Sequence, residues 1–237
     1  MNGLIVATIT GGLLLDYHWL RFGQVAASAV AWMVCLGLLA RSDARGRTAL
    51  LACLAIATAG EIFLSLVWGV YQYRLGNIPF FVPPGHVLLF YLGTQIAARL
   101  DDRAVPVIVA LAAFAVALLA WTGRDTLGPL LFVLFGLCLW ISPSRKLYAT
   151  MFVLSLAMEL YGTWIGNWAW SREVPWLGLT TLNPPVAAGA FYCVLDLLVV
   201  SVTAVKAWAP LEPAAAGNAA RGLEAKRRTE KSKTCAS

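Results

Sequence analysis

Residues 104–122 read AVPVIVALAAFAVALLAWT, nineteen residues without a charge. A bilayer core takes about 17–25 mostly apolar residues in one helix, so this run has the length and character of a membrane span. Similar blocks lie on either side of it, at about 2–16, 22–40, 48–72, 83–99, 127–142, 147–168 and 185–208. The count is about eight. Blocks 2–16 and 127–142 are short, so a seven-span count is the alternative. Several blocks contain Gly or Pro (Gly11, Gly12, Pro106, Gly136), which membrane helices tolerate better than soluble ones. Met1–Asp16 has no basic leading region and no small-x-small site after it, so no cleavable signal is expected.

Composition agrees with this reading. The chain has 237 residues, 60% hydrophobic and 13% charged, with mean hydropathy +0.74, whereas soluble domains carry about 25% charged residues. Its net charge of +6 sits between the apolar blocks and in the last part of the chain. That distribution excludes a disordered chain, a disulfide-rich secreted domain and a nucleic-acid binder. The expected fold class is all-α, a polytopic membrane bundle.

The charges between blocks predict an orientation. Eight spans with the N-terminus inside put Arg41, Arg45, Arg47, Arg99, Arg103, Arg145 and Lys146 on the inner face. Lys206, Arg221, Lys226, Arg227, Arg228, Lys231 and Lys233 join them, leaving only Arg21, Arg74, Arg124 and Arg172 outside. The positive-inside rule then favours N-in, C-in, as in a bacterial inner or plasma membrane protein. Residues 1–208 form one integral-membrane domain, and 209–237 are expected to be a disordered, basic cytoplasmic tail. Its Lys/Arg cluster sets topology or touches anionic lipid headgroups. Cys35, Cys53, Cys138, Cys193 and Cys235 have no metal-type spacing and are expected as small buried hydrophobes.

Two stretches share an ordered pattern. One runs Glu61, Ser65, Gly69, Tyr71, Tyr73, Pro79, Pro83, Pro84, Tyr91, Gln95. The other runs Glu159, Thr163, Gly166, Trp168, Trp170, Pro175, Pro184, Pro185, Tyr192, Asp196. Both follow E-x3-[ST], G-x-[YW]-x-[YW], a proline loop and PP-x6-Y-x3-[QD]. Only the loop and the Glu-to-Gly distance differ in length. The pattern predicts an internal repeat of two parallel four-helix halves, about 1–103 and 104–208, related by an axis along the membrane normal.

The repeat also places the chemistry. Glu61, Glu159 and Asp196 fall near the middle of their blocks, where a carboxylate costs several kcal/mol unless paired, protonated or hydrated; such a residue is a functional-site hypothesis. They are the candidate catalytic residues. Helical spacing puts Thr58, Glu61, Ser65 and Trp68 on one face, and Ser155, Glu159, Thr163 and Gly166 on another. Candidate substrate-binding residues are Trp68, Tyr71, Tyr73, Tyr91, Gln95, Trp164, Trp168, Trp170 and Tyr192. A membrane-interface belt is the competing reading of these aromatics. The alternating G-x-[YW]-x-[YW] spacing favours a specific use, because alternate residues share a side in extended backbone. His86, and His18 with Asp16, stand at span ends and are expected as interface residues. Neither metal-ligand spacing nor a phosphate-cradling Gly loop is present, so no metal and no cofactor is expected.

A mid-membrane acid beside aromatic walls suits protonation of an isolated carbon–carbon double bond. The acid donates a proton to a lipid-soluble alkene, and aromatic faces stabilise the resulting carbocation. The stretch from Glu61 through Gly69-x-Tyr71-x-Tyr73 to Pro79, Pro83 and Pro84 resembles the motif of integral-membrane carotenoid-biosynthesis proteins. These include the bacterioruberin-type hydratases and the small lycopene cyclases. The buried acids are also similar to those of membrane-bound terpene cyclases. The resemblance covers about thirty-five residues in each half and implies a cofactor-independent cyclase or hydratase acting on a carotenoid or terpenoid. Glu61 and Glu159 would be its acids and Asp196 their partner. Two alternatives stay open: a small transporter or lipid-binding assembly protein with an outward-facing aromatic pocket, and purely structural carboxylates. The partners expected are a lipid-soluble small molecule and membrane lipids. No oligomeric state is read from the sequence.

Overall fold

The computed structural model describes residues 1–203. The tail expected to be disordered, with Cys235, lies outside the described residues. The chain forms α1 (Asn2–Arg41), α2 (Ala44–Glu61) continuing as a π-helix (Ile62–Trp68), β1 (Tyr71–Tyr73) and α3 (Val82–Ala97). Then come α4 (Ala104–Trp121), α5 (Gly128–Ile141), α6 (Arg145–Ile165), β2 (Trp168–Trp170), β3 (Glu173–Val174), β4 (Leu179–Thr180) and α7 (Gly189–Val202). The helices follow the apolar blocks closely. The all-α expectation needs one correction, because β1–β2 and β3–β4 form two short antiparallel ribbons.

Three helical stretches are long and apolar enough to cross a membrane: Arg21–Arg41, Ala44–Trp68 and Ala104–Trp121. Gly128–Ile141 and Gly189–Val202 are apolar but shorter, and α6 carries Arg145, Lys146 and Glu159 within its 21 residues. Large apolar side chains face outward, including Phe22 at 87% exposure, Trp121 at 90% and Trp140 at 78%. An exterior this apolar suits a lipid environment rather than water. Cys35, Cys53, Cys138 and Cys193 are free and buried, packed as small hydrophobes.

Helix α1 is helical over 40 residues yet does not run straight. Residues 12 and 27 of a straight helix would stand about 22 Å apart at 1.5 Å per residue. A Cβ on Gly12 would instead lie 3.6 Å from Ala27 Cβ. The chain doubles back between them. At the bend, the space that a Gly23 side chain would need is filled by the Leu15 carbonyl. The two arms of α1 thus correspond to the blocks 2–16 and 22–40.

Four helices form the centre. Helix α2 packs on α3, α3 on α6, α6 on α7 and α7 on α2, with α1 against α3 and α5 against α7. Exchanging α2 with α6, and α3 with α7, leaves this ring unchanged. Apolar and small side chains at three- to four-residue spacing line its inside, such as Leu50, Cys53 and Ala57 on α2, and Glu61 follows them on the same face. Helix α3 opens with Pro83 and Pro84 in its first turn, where a missing N–H costs nothing.

The ribbon β1–β2 joins the two repeat copies. Tyr71 pairs with Trp170, Gln72 with Ala169 and Tyr73 with Trp168. The same register extends outward through Arg74 N–H to the Asn167 carbonyl and Ser171 N–H to the Val70 carbonyl. Each strand follows a glycine in the left-handed region, Gly69 at φ +74° and Gly166 at φ +84°, a conformation that favours glycine when a helix turns into an extended segment. Glu61 precedes its glycine by one residue more than Glu159 does. The π-helix Ile62–Trp68 absorbs that extra residue, while α6 stays α-helical to Ile165.

Candidate active site

Tyr71, Tyr73, Trp168 and Trp170 are buried, whereas Gln72 and Ala169 between them are exposed. The ribbon therefore turns four aromatic rings toward the bundle and caps its interior. Across the strands Tyr71 lies 4.9 Å from Trp170, and Tyr73 lies 6.0 Å from Trp168, between ring centroids. Ring pairs at such distances add to their area burial.

Beneath the cap lie Glu61 and Glu159, each 5% exposed. Glu61 Oε2 accepts from Tyr71 OH at 2.7 Å and Tyr73 OH at 2.6 Å. Its Oε1 lies 2.8 Å from His86 Nε2. Glu159 Oε2 accepts from Trp168 Nε1 at 2.7 Å and Trp170 Nε1 at 2.9 Å, and its Oε1 accepts from Tyr192 OH at 3.0 Å. In each half one carboxylate oxygen takes both ribbon aromatics, and the other takes a group from the helix after the proline pair. Buried carboxylates thus have their lone pairs met by short bonds, as a low-dielectric site requires.

The two clusters touch. The His86 ring stacks on the Tyr192 ring at 5.0 Å between centroids. Together they border an otherwise apolar cavity of about 60 Å³. Glu61, Tyr71, Tyr73, His86, Glu159, Trp168 and Tyr192 form its polar and aromatic side. Another wall is formed by Thr8, Ile9, Gly12, Leu13, Ala27 and Ala31, from both arms of α1.

The proton inventory separates the two acids. Indole N–H groups only donate, so Glu159 Oε2, facing two of them, is fixed as an acceptor. A proton on Glu159 fits only at Oε1, toward Tyr192. At Glu61 every neighbour can reverse its role, because the tyrosine hydroxyls and the imidazole both accept as well as donate. Glu61 and His86 together can therefore hold a mobile proton between Oε1 and Nε2.

Several sequence expectations change. His86 is no interface residue: it is bonded to Glu61 in the interior. Its sequence signal was its place directly after Pro83-Pro84-Gly85, a position occupied in the second copy by Ala187. Trp164 is 81% exposed and cannot line the cavity, since five residues beyond Glu159 on a helix points away from it. Trp68 backs the ribbon from behind, donating to the Pro175 carbonyl at 2.8 Å and stacking on Trp176 at 6.0 Å. Tyr91 is buried and Gln95 half-buried, outside the cavity lining.

Asp196 is also buried but does not border the cavity. It lies one turn beyond Tyr192 on α7, within electrostatic reach of Cys53, Cys138, Tyr148 and Cys193. It does not join the two glutamates. Asp16 is a latch: it accepts from Asn167 Nδ2 at 2.8 Å and from Gln24 Nε2 at 3.4 Å, and its carbonyl accepts from Arg74. These contacts tie the bend of α1 to both ribbon strands. Among the described residues no group of three or more His, Cys, Asp or Glu is arranged to hold a metal ion. No protein-family model, curated protein or solved structure matches the chain.

Proposed function

We propose that the protein is an integral membrane enzyme that protonates a carbon–carbon double bond of a hydrophobic prenyl-lipid, leading to cyclisation or hydration. The observation that carries this reading is the pair of buried glutamates facing one apolar, aromatic-capped cavity. Glu61, sharing its proton with His86, is the acid. Its proton adds to one alkene carbon with the π electrons, and the positive charge forms on the other. The faces of Tyr71, Tyr73 and Trp168 stabilise that charge.

The cation then resolves in one of two ways. A second double bond attacks it, forming a ring bond, and the new cation loses a proton to Glu159. Alternatively water attacks it, and the oxonium proton passes to Glu159. Either route leaves Glu61 ionised and Glu159 protonated at Oε1. The reset returns that proton toward Glu61, and Tyr192, bonded to Glu159 and stacked on His86, stands between them. The topology that fits this reading is eight crossings, N-in and C-in, with the aromatic cap on the outer side.

Removing either carboxylate tests the assignment. Glu61→Gln and Glu159→Gln should insert and fold like the wild type but lose product when a host making linear prenyl-lipids is screened by mass spectrometry. Turnover retained in both single variants overturns it. Vesicle flux of a hydrophobic substrate driven by a pH gradient, without product, would favour the carrier alternative.

A further inference from the structure

The cavity has a side entrance. Most of its lining is buried, but Ile9 and Gly12 on the first arm of α1 and Met158 on α6 are half-buried, as are Gly85 and His86 at the start of α3. Ile9 and Gly12 are three residues apart and share a helix face. Met158 stands across the seam, and one hydrogen bond closes the seam nearby, Tyr161 OH to the Thr10 carbonyl at 3.3 Å. Around the seam the large exposed side chains are apolar, Leu4, Val6, Leu14, Val153, Leu160 and Trp164, and the exposed Thr10 hydroxyl donates back to the Val6 carbonyl of its own helix at 2.9 Å. The opening thus faces hydrocarbon rather than water.

The far wall explains what can enter. Thr8, Gly12, Ala27 and Ala31 are small, and they leave the space that larger residues would fill. At about 60 Å³ the cavity is well below the roughly 300–1,000 Å³ that encloses a whole drug-sized ligand. It holds one end of a longer molecule, whose remainder must lie outside the seam.

We propose that the seam between the first arm of α1 and α6 is a lateral portal through which a slender hydrocarbon chain enters end-first from the bilayer into the space that the small α1 residues leave, and that the narrowness of this cavity excludes fused-ring lipids. The site is the one proposed above as catalytic, and the inference rests on that reading for its biological substrate. The portal itself is tested by binding, without turnover.

The test places a reporter on the rim. Ile9→Cys, made with Cys235→Ser and reconstituted in phosphatidylcholine nanodiscs, is labelled with a membrane-permeant maleimide. Squalene at about ten times its Kd should slow labelling about tenfold, while cholestane, a fused-ring hydrocarbon, should leave it unchanged. Adding Met158→Trp, which fills the seam, should abolish the squalene effect. Adding Glu61→Gln should preserve it, so loss of catalysis and loss of the portal give different results. Equal protection by cholestane, no protection by squalene, or protection that survives Met158→Trp overturns the proposal.

Discussion

Gly162 provides the sharpest test of how the ribbon is seated on the acid. It lies one turn beyond Glu159 on α6, and the position its Cβ would take is occupied by the six-membered ring of Trp168. That ring belongs to the side chain whose Nε1 bonds Glu159. Gly162→Ala should therefore push the indole off its seat. Overpacking a well-filled site costs about 1–3 kcal/mol, and losing a hydrogen bond to a charged group costs about 1.5–3 kcal/mol. The indole will relax partway, so a net loss of about 2–4 kcal/mol is expected. At about 2–4 °C per kcal/mol for a chain of this size, the melting midpoint falls by roughly 4–16 °C. Thermal melts in one detergent read it. The control is Trp168→Phe, whose smaller ring leaves the Gly162 position free; there Gly162→Ala should cost less than about 1 kcal/mol, a coupling of the size expected for residues in contact. Equal costs in the two backgrounds would refute the account.

Two further outcomes follow from the packing. At Gly189 a Cβ would strike the Phe152 backbone, whereas at Gly93 it meets the flexible Met151 side chain; Gly189→Ala should therefore lower the melting midpoint clearly more than Gly93→Ala. Asp125 lies in the loop before α5, accepting from Gly128 N–H and Val186 N–H, both at 2.9 Å. Burial pushes its carboxyl above the usual range, against the backbone bonds from Val186 and Gly128 and the Thr181 side chain, which pull it down. A raised folded pKa gives stability that is full below the unfolded value and lost as pH rises through the folded one. The wild-type midpoint should thus fall as pH rises from about 4 through that window, and Asp125→Asn should make the fall shallower, leaving the share of Asp16, which burial also raises.

The chain's architecture was legible where a feature is local. Apolar block length marked the helices, and the G-x-[YW]-x-[YW] alternation announced extended backbone with Tyr71, Tyr73, Trp168 and Trp170 on one side. That the two copies pair with each other, in register, was not in either copy alone. Glu61 and Glu159 stood out because a carboxylate inside an apolar block is rare. His86 did not, since nothing local distinguishes a helix-start histidine facing water from one facing an acid on another helix. Asp196 misled for the opposite reason: its depth in its apolar block matched that of the glutamates, but its helix face looks toward the buried thiols. Trp164 is a tryptophan like those of the ribbon, but it lies on α6 with its side chain turned outward. The turn between the two arms of α1 was implied by the separate blocks 2–16 and 22–40, but that Thr8, Gly12, Ala27 and Ala31 would line one cavity wall depends on how the arms face each other, which neither block records alone.

The pairing of β1 with β2 has one more consequence. Its register is symmetric about the Gln72–Ala169 pair, so two identical half-length chains could close the same cap as a homodimer. Such a dimer would be bound to present two equivalent acids. Joining the halves in one polypeptide lifts that constraint. One copy holds tyrosines and a histidine around its glutamate and the other holds tryptophans. Covalent fusion is what lets a single cavity hold two glutamates in chemically different surroundings.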